Sequence, residues 1–96
     1  MQKLASEQIS AALEGLPGWS VQDGKLHRDY RFADFVHAFG FMATSAIAIE
    51  KLDHHPDWFN SWNRVTVDLV THSAGGITPR DVELATLLES MSKRFL

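Results

Sequence analysis

An uninterrupted helical pattern from residue 33 to about residue 52 is the feature that most limits how this chain can fold. The segment has no proline and one glycine, and apolar residues recur in it at steps of three and four. This spacing predicts one long helix with an apolar face. Pro56 ends it, because a proline disfavours the α conformation at the residue before it, so the helix must stop at or before His54. The helix therefore leads directly into the pair His54-His55.

Strand patterns lie on both sides of this helix. Residues 19–22 and 26–32 alternate apolar with polar side chains, and Asp23-Gly24 between them is typical of a two-residue hairpin turn. After Pro56 we expect a short strand at Trp58-Phe59, a turn at Asn60-Ser61 and a longer strand over residues 62–71. Each longer strand has one apolar and one polar face, which is typical of antiparallel sheets.

The two ends of the chain also carry helix signals. Ser6 is the expected N-cap of a short first helix, and Ser73 to Gly76 reads as a flexible loop. Thr78, Pro79 and Asp81 then form a capping-box pattern that begins a final helix. The predicted fold is α+β, a four-stranded antiparallel sheet with three helices packed on one face. The order is helix, hairpin, helix, strand pair, helix, and we expect residues 1–96 to form a single domain.

Charge and cysteine content exclude several classes of function. Nine Lys+Arg against 12 Asp+Glu give a formal net charge of −3, which disfavours direct binding of nucleic acid. The absence of cysteine rules out disulfides, a thiolate nucleophile and Cys-ligated zinc or iron–sulfur sites. No apolar run approaches the roughly 20 residues of a membrane span, and the N-terminus lacks the apolar core of a signal peptide. We therefore expect a cytoplasmic protein with no membrane contact.

Three of the five histidines lie where the chain changes direction, which is where sites are usually built. His54 and His55 follow the central helix, and His72 follows a predicted strand. Two imidazoles in different environments suit general acid–base catalysis near neutral pH. Glu50 lies one helical turn before His54 and Asp53 beside it, and these carboxylates favour a protonated ring. This favours His54 as the proton donor, but the sequence does not decide which histidine is the acid and which is the base.

Other interpretations of these residues remain open. The three histidines together with Asp53 or Glu50 could ligate zinc or non-haem iron, although neighbouring histidines diverge at a helix end. The histidine pair could also be a simple helix stop, since histidine is favourable near a helix C-terminus. Ser73 lacks the pattern of a nucleophile elbow, and Gly75-Gly76 lacks that of a phosphate-binding loop. His27 and His37 are expected to be ordinary polar side chains.

A spaced set of residues gives the chain a specific resemblance. The set is Glu50, His54, His55, Pro56, Trp62, His72 and Asp81. It resembles the signature of the pterin-4a-carbinolamine dehydratases, and further motifs extend the resemblance over nearly the whole chain. These motifs are Phe32-x-x-Phe35, Ala38-Phe39-Gly40-Phe41-Met42, Trp58-Phe59-Asn60, Thr71-His72 and Thr78-x-x-Asp81.

The resemblance implies a reaction and a site. The reaction is loss of water from 4a-hydroxytetrahydropterin to give quinonoid dihydropterin, within the recycling of tetrahydrobiopterin. The implied catalytic residues are His54, His55 and His72, with no metal and no bound cofactor. The implied substrate-binding residues are Glu50, Asp53, Pro56, Val70, Thr71, Ser73 and Asp81.

The resemblance also implies partners. Members of the family form homodimers or homotetramers, and their substrate comes from a pterin-dependent aromatic amino acid hydroxylase. Mammalian members double as the dimerisation cofactor of a homeodomain transcription factor. A protein-interaction module without essential catalysis is therefore the alternative function. Such a module could lose its histidines and keep its fold, whereas the enzyme could not lose them and stay active.

Overall fold

The computed structural model describes all 96 residues, arranged as three helices and four strands. In chain order the elements are α1 (Ser6–Leu13), β1 (Ser20–Gln22), β2 (Lys25–Arg31), α2 (Phe35–Leu52), β3 (Asp57–Ser61), β4 (Arg64–Leu69), a 3₁₀ turn (His72–Ala74) and α3 (Pro79–Ser92). The strands form one antiparallel sheet in the order β1-β2-β4-β3. The predicted fold class and element order are confirmed.

The first hairpin follows directly from its turn residues. Gln22 pairs with Lys25, so Asp23 and Gly24 form a two-residue turn. Both have positive φ, 52° and 73°, which the twist of a tight hairpin requires and which Asp and Gly tolerate. The turn fixes the register of β1 on β2.

The core lies between the helices and one face of the sheet. Alternate residues of β2 and β4 supply its sheet side, since Leu26, Tyr30, Val65, Val67 and Leu69 are fully buried. Because the side-chain period of a strand is two, the intervening residues lie on the other face, which no helix covers. Helix side chains complete the core, and they include Ala38, Phe41, Ile49, Leu84, Ala85 and Leu88.

A polar cluster closes the core at the end of α3. The Tyr30 hydroxyl and the Trp19 indole N–H both donate to Glu89 Oε1, at 2.8 and 3.0 Å. Burial, together with the negative charge of Glu89, raises the pKa of Tyr30. Tyr30 therefore remains a hydrogen-bond donor near neutral pH and ties β2 to α3.

The long helix α2 begins and ends as its sequence predicts. The Asp34 side chain caps it by accepting from the backbone N–H of His37 at 2.9 Å, and the helix ends at Leu52. Its 18 residues have a mean hydropathy of 1.2, enough by length and composition alone for a membrane span. The expectation that no segment approaches that limit is therefore wrong for α2, although core helices of soluble proteins also meet it.

Three local expectations were wrong. The turn between β3 and β4 is at Trp62-Asn63 and not at Asn60-Ser61, because the Asn60 side chain bonds the carbonyls of Trp62 and Arg64 and holds the chain there. Ser6 is the first residue of α1, and Ala5 is its N-cap. The segment after Thr71 is an ordered 3₁₀ turn closed by the Thr71–Gly76 bridge, so it is not an unstructured loop.

The capping box at the start of α3 is confirmed. The Thr78 hydroxyl accepts from the backbone N–H of Arg80, and the Asp81 carboxylate accepts from the backbone N–H of Thr78. Pro79 occupies the first helical turn. Because Thr78 and Asp81 are fully buried, this cap places a carboxylate inside the protein.

Candidate functional site

The exit of α2 is a sharp corner. Asp53 adopts the left-handed conformation, with φ 56° and ψ 41°, and its N–H bonds the carbonyls of Ile49 and Glu50. The Arg80 guanidinium then donates to the carbonyls of Leu52 and Asp53, at 2.7 and 3.0 Å. The first turn of α3 therefore holds the corner from which His54 and His55 emerge.

Glu50 contacts His55 and not His54. His55 Nε2 lies 2.8 Å from Glu50 Oε1, and both side chains are largely exposed to solvent. The expectation that Glu50 and His54 share a helix face is wrong, because the left-handed Asp53 turns His54 away from the helix. Since the pair is exposed, water screens its electrostatic attraction.

His54 is instead paired with a buried carboxylate. Its Nε2 lies 2.6 Å from Asp81 Oδ1, and its side chain is only 14% exposed, whereas that of Asp81 is 0% exposed. An ionised carboxylate only accepts, so Nε2 carries the proton. In the neutral ring Nδ1 is then the free nitrogen and can accept a proton. The pairing thus fixes both the orientation and the tautomer of His54.

The other oxygen of Asp81 is also fully engaged. Asp81 Oδ2 accepts from the Thr71 hydroxyl and from the Thr78 backbone N–H, each at 2.8 Å. The two threonine hydroxyls lie 2.7 Å apart. Three hydrogen bonds, from His54, Thr71 and Thr78, thus replace the water that the buried carboxylate has lost.

His72 reaches the same end of the molecule by a different route. It directly follows Thr71, whose hydroxyl bonds the carboxylate that holds His54. His72 Nε2 lies 3.9 Å from Asp57 Oδ2, and Asp57 is two residues after His55. The fold therefore gathers all three candidate histidines, each with its own carboxylate, and only the His54 pair is buried.

The remaining predicted binding residues surround this cluster. Asp53 and Ser73 are exposed, and Pro56 and Val70 are half-buried. Val70 links β4 to Thr71, and Ser73 lies in the 3₁₀ turn with His72. The molecule's one cavity, of about 270 Å³, lies elsewhere, between the N-terminal segment, the β1–β2 turn and Gly75-Gly76. None of the three candidate histidines lines this cavity.

Three contributors to the site were not expected from the sequence. Asp57 approaches His72, the Arg80 guanidinium holds the α2 exit, and the Thr78 hydroxyl contacts Thr71. Asp57 and Arg80 each lie next to a residue of the signature, which is the only sequence signal that could have indicated them. No group of three or more His, Asp or Glu side chains is arranged to hold a metal ion.

Comparison with known proteins gives one consistent result. Residues 2–91 match the family described as "Pterin 4 alpha carbinolamine dehydratase". A protein from Solibacter usitatus, named "Putative pterin-4-alpha-carbinolamine dehydratase", is 52% identical over 94% of this chain and 95% of its own length. A protein of the same name from Burkholderia vietnamiensis is 50% identical over 93% of this chain and 89% of its own length.

A solved structure agrees with the sequence comparison. It is described as the crystal structure of a transcriptional coactivator/pterin dehydratase from Brucella melitensis. Its TM-score with this chain is 0.90 at 44% sequence identity, covering 95% of this chain and 99% of that one. The similarity therefore extends over the whole architecture, including the elements that carry the histidines.

Proposed function

Because the chain belongs to the pterin-4a-carbinolamine dehydratase family, we propose that it removes water from 4a-hydroxytetrahydropterin by histidine acid–base catalysis. The observation that carries the proposal is the buried His54–Asp81 hydrogen bond of 2.6 Å, at the end of the molecule where His55 and His72 also lie. The product is quinonoid dihydropterin, and the reaction serves tetrahydrobiopterin recycling after a pterin-dependent aromatic amino acid hydroxylase.

The chemistry needs one proton given and one taken. Hydroxide is a poor leaving group, so an acid protonates the C4a oxygen while a base removes a proton from a ring nitrogen. We assign the base role to His54, since its free Nδ1 can accept a proton while Asp81 stabilises the resulting imidazolium. This assignment reverses the role expected from the sequence. The exposed His55 and His72, each beside a carboxylate, are the candidate donors.

A pterin could bind against the segments that flank the histidines. Pterins present an amide-like edge, which the backbone of Val70, His72 and Ser73 can meet with hydrogen bonds. The N–H and C=O of Thr71 do not take part, because both are bonded within the turn that the Thr71–Gly76 bridge closes. Glu50 and Asp53 precede the histidine pair in sequence, and Pro56 follows it directly. We propose this surface as the substrate site, with no metal and no bound cofactor.

The decisive experiment is a stopped-flow assay with chemically generated 4a-carbinolamine. We expect His54→Ala, His55→Ala and His72→Ala each to lower the dehydration rate by about 10²–10⁴-fold, the usual contribution of a general acid or base. His37→Ala is the matched control, since the His37 ring pairs with the N-cap residue Asp34 at the far end of α2, and it should leave the rate unchanged. Equal and negligible effects of all four substitutions would refute the assignment.

We also propose that the chain forms homodimers or homotetramers through α2. Phe35, Val36, Phe39 and Ile47 are large apolar side chains of this helix that remain 46–75% exposed. Phe35 and Phe39 contact one another with ring centroids 5.6 Å apart, so they form a continuous apolar surface. Light scattering should give a mass of two or four times 10.8 kDa, and Phe39→Glu should reduce it to that of one chain.

The same helix is the basis of a second candidate function. The Brucella melitensis structure is described as a coactivator as well as a dehydratase, and an exposed apolar helix face suits a foreign amphipathic helix. If the wild type showed no dehydratase activity and remained monomeric at high concentration, an interaction module would be the better interpretation. We favour catalysis, because a module has no need of a buried His–Asp pair.

A further inference from the structure

The resemblance implies that Thr71 binds substrate, but its hydroxyl has no proton left to donate to one. Thr71 is only 9% exposed, and its hydroxyl lies 2.8 Å from Asp81 Oδ2 and 2.7 Å from Thr78 Oγ1. A hydroxyl has one proton to donate. Because a carboxylate can only accept, that proton goes to Asp81, and the hydroxyl of Thr78 must donate to Thr71.

The hydrogen bonds of the whole cluster therefore all donate in the same direction, toward Asp81. Thr78 donates to Thr71, and Thr71 donates to Asp81. Asp81 Oδ2 is filled by the donors from Thr71 and the Thr78 backbone, which leaves Oδ1 to accept from His54 Nε2. We call Thr78, Thr71, Asp81 and His54 the relay. Each of its buried hydrogen-bonding groups has a partner, so removing one donor leaves its neighbours short of a partner.

We propose that Thr71 is a positioning residue, which through Asp81 holds His54 in the Nε2-protonated tautomer with Nδ1 free to act. The expected effect on the dehydration rate rests on the proposed function. The expected effect on the His54 ring does not depend on it. Thr71 touches no reacting atom in this scheme. Its contribution is to orient the carboxylate that orients the imidazole.

Thr71→Val is the primary test, because valine keeps the shape of threonine and removes only the hydroxyl. We expect kcat for dehydration to fall about 10- to 100-fold, the range that a hydrogen bond to an ionised group is worth. KM should change less than about 3-fold, because Thr71→Val removes no contact to the bound substrate. Thr71→Ser keeps the hydroxyl and should restore kcat.

Thr66→Val is the matched control. The Thr66 hydroxyl also donates to a carboxylate, Asp29 at 3.2 Å, but on the helix-free face of the sheet. Thr66→Val removes a threonine–aspartate hydrogen bond of the same kind outside the relay, so kcat should remain unchanged. If Thr71→Val behaved like Thr66→Val, or if Thr71→Ser lost as much activity as Thr71→Val, the proposal would be overturned.

The ¹⁵N shifts of the His54 ring give a readout that does not depend on activity. At a pH where the ring is neutral, we expect a protonated Nε2 and an unprotonated Nδ1, and Thr71→Val should move both shifts toward those of mixed tautomers. Unchanged shifts in Thr71→Val would refute the relay. If the wild type showed no dehydratase activity but its shifts responded in this way, the proposed function would fail and the relay would stand.

Asp81→Asn tests the same relay should Thr71→Val not fold. Two donors, from Thr71 and the Thr78 backbone, point at Oδ2, so the amide oxygen must take that place. The amide nitrogen then faces His54 and donates to Nε2, which forces the proton onto Nδ1. We expect the two ¹⁵N assignments to exchange and kcat to fall about 10²–10⁴-fold. Retention of the Nε2-protonated ring would contradict the proposal.

Discussion

Asp34 shows how one side chain makes the stability of this protein depend on pH. Its carboxylate accepts from the backbone N–H and from the Nδ1 of His37, at 2.9 and 2.7 Å. The bond to the His37 ring has the larger effect and the bond to the His37 backbone the smaller one. Together they hold the pKa of Asp34 below its ordinary value of 3.8. The stabilisation is therefore present above pH 3.8 and is lost as the pH falls through the lower, folded-state value.

Asp34→Asn tests that sign, because asparagine still caps a helix but carries no charge. We expect thermal melts to show a wild type more stable than the variant at neutral pH, with the difference disappearing below pH 3.8. Asp23→Asn, in the first hairpin turn, is the control and should show no such pH-dependent gap. A gap between wild type and Asp34→Asn that stayed constant with pH would contradict the account.

Ser45 is a second residue whose environment predicts a measurable effect. It is fully buried in the middle of α2, and its hydroxyl has no hydrogen-bond partner. Because a buried unpartnered hydroxyl is unfavourable, we expect Ser45→Ala to raise the free energy of unfolding by about 1 kcal/mol. Ser92→Ala is the control of opposite sign, since the equally buried Ser92 hydroxyl donates to the Glu89 carbonyl at 2.7 Å. Urea denaturation of both variants measures the two effects.

The residues of the candidate site could be predicted from the sequence, but their pairings could not. Spacing along a helix suggested that Glu50 partners His54, yet the left-handed Asp53 ends the helix and redirects both side chains. The partner of His54 is Asp81, 27 residues further along the chain. A local pattern carries no information on a contact of that range, and only the resemblance placed both residues in one site.

At the scale of elements, the contact between α2 and α3 gives a prediction of its own. Arg80 satisfies two carbonyls at the end of α2, which have no partner within their own helix. We expect Arg80→Met to lower the free energy of unfolding by about 1–2 kcal/mol, measured by urea denaturation. Arg94→Met is the control, because Arg94 is exposed beyond the end of α3. Equal effects of the two substitutions would show that the α2 exit does not depend on Arg80.

The second hairpin shows where turn prediction reaches its limit. Asn60 and Ser61 are common turn residues, so the sequence favoured a turn there. In the structure the Asn60 amide instead supports the following turn, in which Trp62 has a positive φ of 47°. Tryptophan is an unfavourable residue for that conformation, and side-chain hydrogen bonds decide the outcome. The strands themselves, with buried Val65, Val67 and Leu69, were predicted correctly because their period is two.

At the scale of the whole molecule, the site depends on the order of the strands. β4 lies between β2 and β3, so its end at Leu69 leads Thr71 and His72 toward the β3 end that begins at Asp57. The first turn of α3 meets the same place through Asp81. The sequence predicted a four-stranded antiparallel sheet but not this order, because alternation within a strand does not specify its neighbours.

The exposed face of α2 predicts that the stability of this protein depends on its concentration. Association that buries the apolar side chains of α2 stabilises only the folded state, so Tm should rise with protein concentration. Calorimetry over a 100-fold range of concentration measures this, and Phe39→Glu should remove the dependence by placing a charge on the surface formed by Phe35 and Phe39. Val21→Glu, on the edge strand β1, is the control. If Val21→Glu removed the dependence and Phe39→Glu did not, association would occur at the sheet edge; if the wild type showed none, the α2 face would be free for a different partner.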